Sequence, residues 1–285
     1  MLRITGTRTE LWELVRPVCV CLLAIGVVAW AMAIKGWDMT SLELGVMLLG
    51  IGTIVVMHIH RVLKGFVHDS ALLRKAAIEA ERHYTDVLTR IIGHVEGRDR
   101  YWTGHSHNVA ALSEKIARKL GMPSDHCELV GLAGRLHDIG ILAVPPSIRM
   151  NRSRLVVEEL RSVQKHPEVS YEVLQPLGSI APVLPAIRWH HERLNGTGYP
   201  KGLAGEQIPL EARILAAADA YDAMTHDRPH RPAMTPLQAM LELRRCTPAA
   251  FDPRCVDALA EIVNLPDLEM TVAGERANRV APAIA

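Results

Sequence analysis

The chain has 285 residues and a formal net charge of +1 at pH 7, enough length to bury one catalytic-sized domain with appendages. The balanced charge argues against binding to a nucleic-acid polymer, and only two Phe argue against an aromatic stacking platform. The five cysteines (Cys19, Cys21, Cys127, Cys246, Cys255) form no CxxC pair, so they read as reduced thiols in a cytoplasmic setting, not as a disulfide frame or zinc knuckle.

Residues 1–16 read as a cytoplasmic N-terminus, and residues 17–60 as two membrane helices. No residue from Pro17 to Ile34 is charged, which satisfies the roughly 17–20 apolar residues that a span requires. The second apolar run, Leu44–Met57, is shorter and contains Gly45, Gly50 and Gly52, so a buried core helix is its alternative reading. Arg3, Arg8 and Arg16 precede the first run, and Arg61 and Lys64 follow the second. The positive-inside rule then places both ends in the cytoplasm, with Lys35–Ser41 as a short external turn. A bacterial inner-membrane protein with two passes and a cytoplasmic domain is the expectation. The long start and the lack of a clear small-residue cleavage site fit a signal peptide poorly.

Residues 61–95 lack proline and repeat Leu63, Ser70, Ala77, Tyr84 and Ile91 every seven residues, with Phe66, Leu73, Ala80 and Val87 alongside. This predicts a linker helix that pairs with a second copy of itself in a homodimer or packs on its own domain. His68, Asp69, His83 and His94 on this segment read as solvated. Beyond it, helices are predicted near 104–120, 126–139, 155–165, 167–175, 180–192, 209–225, 235–245 and 253–263, with no strand pattern. The fold class is therefore all-α, with a catalytic bundle at 96–267 and a tail at 268–285 to which no role is given.

Residues His190 to Pro200 are the most informative stretch: adjacent histidines, His190 and His191, run into a turn closed by Gly198-Tyr199-Pro200. Candidate metal ligands elsewhere are His105, the dyad His137-Asp138, His166 and Asp219. Imidazole and carboxylate donors without thiolate suit iron, manganese or zinc. Consecutive helical residues point about 100° apart, so His190 and His191 have two uses: to serve two ions, or for one to bind metal while the other acts in catalysis. An aspartate directly after a histidine ligand is well placed to bridge two ions. Any one of these histidines alone would read as a hydrogen-bonded core residue; five with two aspartates in this order do not.

From about Glu96 to Asp252 the chain resembles the HD-GYP branch of the HD metal-dependent phosphohydrolases. The resemblance runs through Arg98-Asp99-x-Tyr101, Gly104-His105-Ser106, His137-Asp138-Ile139-Gly140, Lys165-His166-Pro167-Glu168, His190-His191-Glu192-Arg193, Gly196-x-Gly198-Tyr199-Pro200, Ile208 to Ile214, Ala218-Asp219 and Asp227-Arg228-Pro229. It implies an HD-type helical bundle that hydrolyses cyclic di-GMP to pGpG or GMP at a centre of two divalent ions, iron or manganese foremost. By position, His105, His137, Asp138, His166, His190, His191 and Asp219 would be the ligands, with His137 and Asp138 at the catalytic centre. Arg228 and Arg231 would hold substrate phosphate, and Gly198, Tyr199 and Pro200 would shape the pocket mouth. Regulatory protein partners are a further expectation.

Three positions depart from the pattern. Ile141 stands where the family carries a lysine beside the scissile phosphate, and losing one such donor can cost on the order of 10²–10³ in rate. Asn195 replaces the usual aspartate, keeping the turn and losing the charge. Tyr101 stands where three-metal members have a glutamate, which favours two ions. The alternative to an enzyme is then a metal-loaded receptor that binds cyclic di-GMP without cleaving it. An HD hydrolase for another nucleotide is disfavoured by the intact Gly-Tyr-Pro turn.

Overall fold

No proline interrupts Ser41–Glu96, and these residues form one helix, α1, of 56 residues. The computed structural model describes residues 25, 26, 29, 30, 33, 41–98, 101–149, 151, 153, 155–228 and 231–265. The second apolar run and the linker, read from sequence as separate helices, are continuous within α1. Among the described residues one helix, Leu49–Glu96, is long and apolar enough to cross a membrane by length and composition. The first apolar run lies outside the described residues save for five helical positions. Residues 1–16, most of the external turn and the 268–285 tail lie wholly outside them.

The chain divides into two units, Met1–Glu79 and Ala80–Ala285. The second contains the last turns of α1, where Ile92 enters the core and the Glu81 carboxylate accepts the Ser179 N–H at 2.8 Å. It continues through α2 (His105–Lys119), α3 (Ser124–Leu136), α4 (Pro146–Arg149), α5 (Val157–Val163), α6 (His166–Leu174), α7 (Leu184–Trp189), α8 (Leu210–Thr225), α9 (Pro236–Arg245) and α10 (Pro253–Ile262). Short 3₁₀ turns at Ile139–Ala143, Gly178–Val183 and Gly205–Gln207 complete it. No strand occurs among the described residues, only isolated bridges between Asn195 and Ala204 and between Arg228 and Arg231. The all-α expectation is met.

Local chemistry sets the helix limits. Thr235 caps α9 by accepting the Gln238 N–H, Asp252 caps α10 by accepting the Arg254 N–H, and proline follows each cap. The helix predicted at 180–192 is split: Pro182 sits in a 3₁₀ turn and Pro185 in the first turn of α7, where a missing N–H costs no helical bond.

Helix α8 is the axis of the bundle and packs against α2, α3, α7, α9 and α10. All of Ala212 to Ala218 is buried, and all but Arg213 are apolar, so this part of α8 is buried nearly all round rather than striped. Its alanines let neighbours close in, while Ile214 and Leu215, fully buried, each contribute about 1.5–3 kcal/mol of transfer free energy. The carboxyl-terminal half of this helix carries two aspartates toward the histidines.

Candidate metal centre

The His137-Asp138 dyad sits at the end of α3, where the chain turns into the 3₁₀ segment Ile139–Ala143. This turn is clamped against α6. Ser170 Oγ accepts the Gly140 N–H at 2.9 Å and donates to the His137 carbonyl at 2.7 Å. A Cβ on Gly140 would lie 2.1 Å from the His166 carbonyl oxygen, so only glycine permits this approach. Ser170 lies one turn after His166 on α6, and the same clamp therefore sets the distance between two predicted ligands.

His105 opens α2, His166 opens α6, His190 and His191 follow α7, and Asp219 lies on α8. Two groups form, Asp138 with His166, His190 and His191, and His105 with His137 and Asp138; in each, the ligand atoms lie within 4.8 Å of one another. Asp138 belongs to both. Its Oδ1 faces His166 Nε2 at 3.0 Å and His190 Nε2 at 3.9 Å, while Oδ2 faces His137 Nε2 at 3.4 Å and His105 Nε2 at 3.8 Å. Asp219 divides its oxygens similarly, Oδ1 lying 3.3 Å from His105 Nε2 and Oδ2 4.0 Å from His191 Nδ1.

Ring orientation is set from behind. The Nδ1–H of His137, His166 and His190 donates to the carbonyls of Gly134 (2.8 Å), Val163 (2.8 Å) and Ile187 (2.7 Å), each three residues back. A carbonyl can only accept, so Nδ1 holds the proton and Nε2 presents a lone pair. Those three Nε2 atoms are buried without a hydrogen-bond partner. His166 Nε2 and Asp138 Oδ1 thus oppose two lone pairs at 3.0 Å, an arrangement that a cation between them relieves. Burial pushes His190 and His191 down, His191 to about 3, which keeps both rings neutral. Burial opposes ionisation of Asp138 and Asp219, but the surrounding histidines outweigh it and hold both carboxyls below their usual range. His190 and His191 as neutral rings and Asp138 and Asp219 as carboxylates are in the protonation states that metal ligation needs. Burial opposes a charge on His137, but Asp138 outweighs it and raises that ring, so a cation there would displace a proton. The donor set fits divalent ions.

Asp222 was not among the expected residues. It is buried, one turn beyond Asp219 on α8, and its Oδ2 lies 2.7 Å from His105 Nδ1. Burial disfavours a charged His105, but the carboxylates of Asp219 and Asp222 carry its pKa up to about 10, so a divalent ion at its Nε2 would take the place of a proton. A carboxylate behind a ligating histidine fixes the ring and strengthens its donor. The i, i+3 spacing of Asp219 and Asp222 was a signal for this role.

Glu192 was also without an assigned role. Its buried carboxylate accepts the backbone N–H groups of Lys201 (2.7 Å), Gly202 (3.2 Å) and Leu203 (2.9 Å), pinning the loop beneath Gly198-Tyr199-Pro200. A Cβ on Gly198 would lie 2.4 Å from Glu192 Cα, so the loop crosses itself where only glycine fits. Tyr199 lies over the His191 ring at 4.7 Å. Asn195 Oδ1 accepts from the Thr197 N–H (3.1 Å) and hydroxyl (2.7 Å), so the substituted position keeps an Asx turn without the charge.

The two arginines expected at phosphate differ. Arg228 stacks over Trp102 at 5.0 Å, and Trp102 meets His105 edge-on at 5.6 Å, which brings Arg228 beside the ligand cluster. Arg231 instead donates to the carbonyls of Ala223 (2.8 Å), Met224 (3.1 Å) and Pro232 (3.0 Å). Two of these acceptors lie in the last turn of α8, whose terminal carbonyls lack helical partners, so Arg231 is engaged in capping rather than free for phosphate. Lys165 is exposed and does not line the cleft that Ile141 lines with Asp138, so it does not stand in for the lysine absent at position 141.

A family model described as HD domain matches residues 87–255, more than half of the chain. The cyclic di-GMP phosphodiesterase response regulator RpfG of Xanthomonas campestris is 37% identical, over 64% of this chain and 48% of its own length. The 3′3′-cGAMP-specific phosphodiesterase 3 of Vibrio cholerae is 34% identical, over 67% of this chain and 42% of its own. The chain thus spans about half the length of the curated relatives it matches. Among solved structures, the HDG"Y"P protein Bd1817 of Bdellovibrio bacteriovorus superposes with a TM-score of 0.51 at 21% identity, covering 66% of this chain and 64% of that one, a likeness of fold.

Proposed function

The chain belongs to the HD domain family, and from that premise we propose that it is a membrane-anchored cyclic di-GMP phosphodiesterase of the HD-GYP branch. The observation that carries this reading is the division of the two Asp138 oxygens between two pairs of histidines. His105, His137, Asp138 and Asp219 would hold one divalent ion, and Asp138, His166, His190 and His191 a second. Iron or manganese suits these nitrogen and oxygen donors. Two such ions supply Lewis-acid activation of a phosphodiester and of water at neutral pH.

The chain's own groups would do the rest. The carboxylates of Asp138 and Asp219 would supply the negative charge that two cations need, and His137, His166 and His190, held from behind, would offer their Nε2 atoms in fixed positions. Arg228, braced on Trp102, offers a planar fork to a phosphate oxygen. Tyr199, backed by the loop that Glu192 ties down, walls the His191 side and limits water there. Anchoring rests on the length and hydropathy of Leu49–Glu96 together with the apolar run at 17–34. A homodimer is favoured by the exposure of Leu63, Phe66, Leu73, Tyr84, Val87 and Ile91 along α1.

Full-length chain in lipid nanodiscs, loaded with manganese or iron under reducing conditions, tests the proposal. Metal content is measured, and cyclic di-GMP, pGpG and GMP are followed by chromatography. Cleavage by metal-loaded protein is the expected result. Ile141, an apolar side chain where a cation would assist, favours a second reading as a metal-loaded receptor. Tight binding of cyclic di-GMP without pGpG would establish that reading instead.

A further inference from the structure

The cleft of about 260 Å³ that opens beside Asp138 has a floor of Ile92, Val95, Ile141 and Leu142. Arg98 and Arg149 also line it. Neither guanidinium has a hydrogen-bond or ion-pair partner among the described residues. We propose that this cleft is a purine slot in which Arg149, assisted by Arg98, recognises the guanine edge, so that the site prefers guanine over adenine dinucleotides. The inference rests on the reading of the chain as a cyclic dinucleotide protein.

Size and chemistry support a base over a phosphate. The cleft is smaller than the roughly 300–1,000 Å³ of pockets that enclose a drug-sized ligand, so it suits one end of a dinucleotide. An anion on the apolar floor gets nothing in return for its lost hydration beyond the two guanidiniums, whereas a base gains from the same burial of its flat face and uses the guanidiniums at its edge. The phosphate belongs beside Asp138, where the ligand cluster gathers. Trp102, also in the cleft wall, adds an aromatic surface next to which a base can stack. Guanine offers two adjacent acceptors, O6 and N7, that match the arginine fork; adenine offers N7 beside an N–H donor that opposes it. Ile141 then has a positive role: a lysine there would place a charge in the floor of the slot.

The test is equilibrium binding to manganese-loaded full-length chain in nanodiscs, using cleavage-resistant phosphorothioate analogues of cyclic di-GMP and cyclic di-AMP. The guanine analogue is expected to bind about 5- to 100-fold more tightly. Arg149→Lys, which keeps the charge and loses the fork, is expected to weaken the guanine analogue alone and move the ratio toward unity. Manganese content serves as the folding control. Arg98→Lys, at the exposed rim, provides a second variant with the same expected direction and a smaller effect. Equal binding of both analogues by the parent chain, or an equal loss for both in Arg149→Lys, would overturn base recognition while leaving the proposed function standing. Failure of metal-loaded parent chain to bind either analogue would overturn both.

Discussion

Replacing Glu192 by Gln isolates the anchor of the Gly-Tyr-Pro loop. The native carboxylate is buried and accepts three backbone N–H groups, Oε1 from Lys201 and Gly202 and Oε2 from Leu203. The amide keeps one accepting oxygen and turns an NH₂ toward the Leu203 N–H, donor against donor. One charge-assisted bond is lost and two are reduced to neutral strength, against about 1.5–3 kcal/mol for each bond to a charged group. The expected destabilisation is about 2–4 kcal/mol, a fall in Tm of roughly 4–16 °C for a domain of this size. Amide exchange read by mass spectrometry should show the loss concentrated at residues 201–203, and opening by 2 kcal/mol corresponds to about 30-fold faster exchange. Tyr199 should lose its fixed position over His191, so turnover falls with metal content unchanged. A Tm within about 1 °C of the parent and unaltered exchange at 201–203 would refute the account of Glu192 as the loop's anchor.

Asp138→Ala should abolish both metal sites, because each draws on one of its oxygens, whereas Asp219→Ala should weaken binding while leaving the His166, His190 and His191 side in place; metal content per chain distinguishes them. Asp222→Ala should lower metal affinity by about 10–100-fold with the fold retained, since it removes the partner of His105 Nδ1 and none of the ligands; competition with a chelator reads the change. Acid stability should depend on Asp252: burial opposes its ionisation, but Arg254 and Arg213 outweigh this and hold the carboxyl below its usual range. A folded pKa below the unfolded value stabilises above the unfolded pKa, about 3.9, and that stabilisation is lost as pH falls through the folded one. The gap in Tm between the parent and Asp252→Asn should therefore narrow as pH drops below about 4, and a constant gap would contradict it.

The helices were legible because their apolar spacing and breakers are local. Thr235 and Asp252 mark starts within four residues of what they cap, and the 235–245 and 253–263 predictions match α9 and α10 closely. The second apolar run and the linker differ from the expectation only in being continuous: nothing between Met57 and Arg61 breaks a helix, and α1 runs through. The prolines at 182 and 185 carried the opposite signal, a split that the predicted 180–192 helix overlooked. Metal-ligand types were equally open to reading, since histidines followed by aspartate or histidine state their chemistry in one or two letters.

Contacts between distant residues were not legible. Ser170 clamps a backbone 33 residues away, and Asp222 meets a ring 117 residues away. No periodicity records such pairs, because each depends on how helices cross around α8. Arg231 shows the same limit in reverse: a guanidinium expected at phosphate is held by helix-terminal carbonyls a few residues away. By itself the sequence determined the helical class, the candidate ligands and the apolar character of position 141. Only the tertiary structure decided that Asp138 presents one oxygen to each histidine pair, and that Ile141 shares a cleft with two arginines that have no side-chain partner among the described residues. The reason is physical: side-chain chemistry belongs to the residue, while direction and company come from packing.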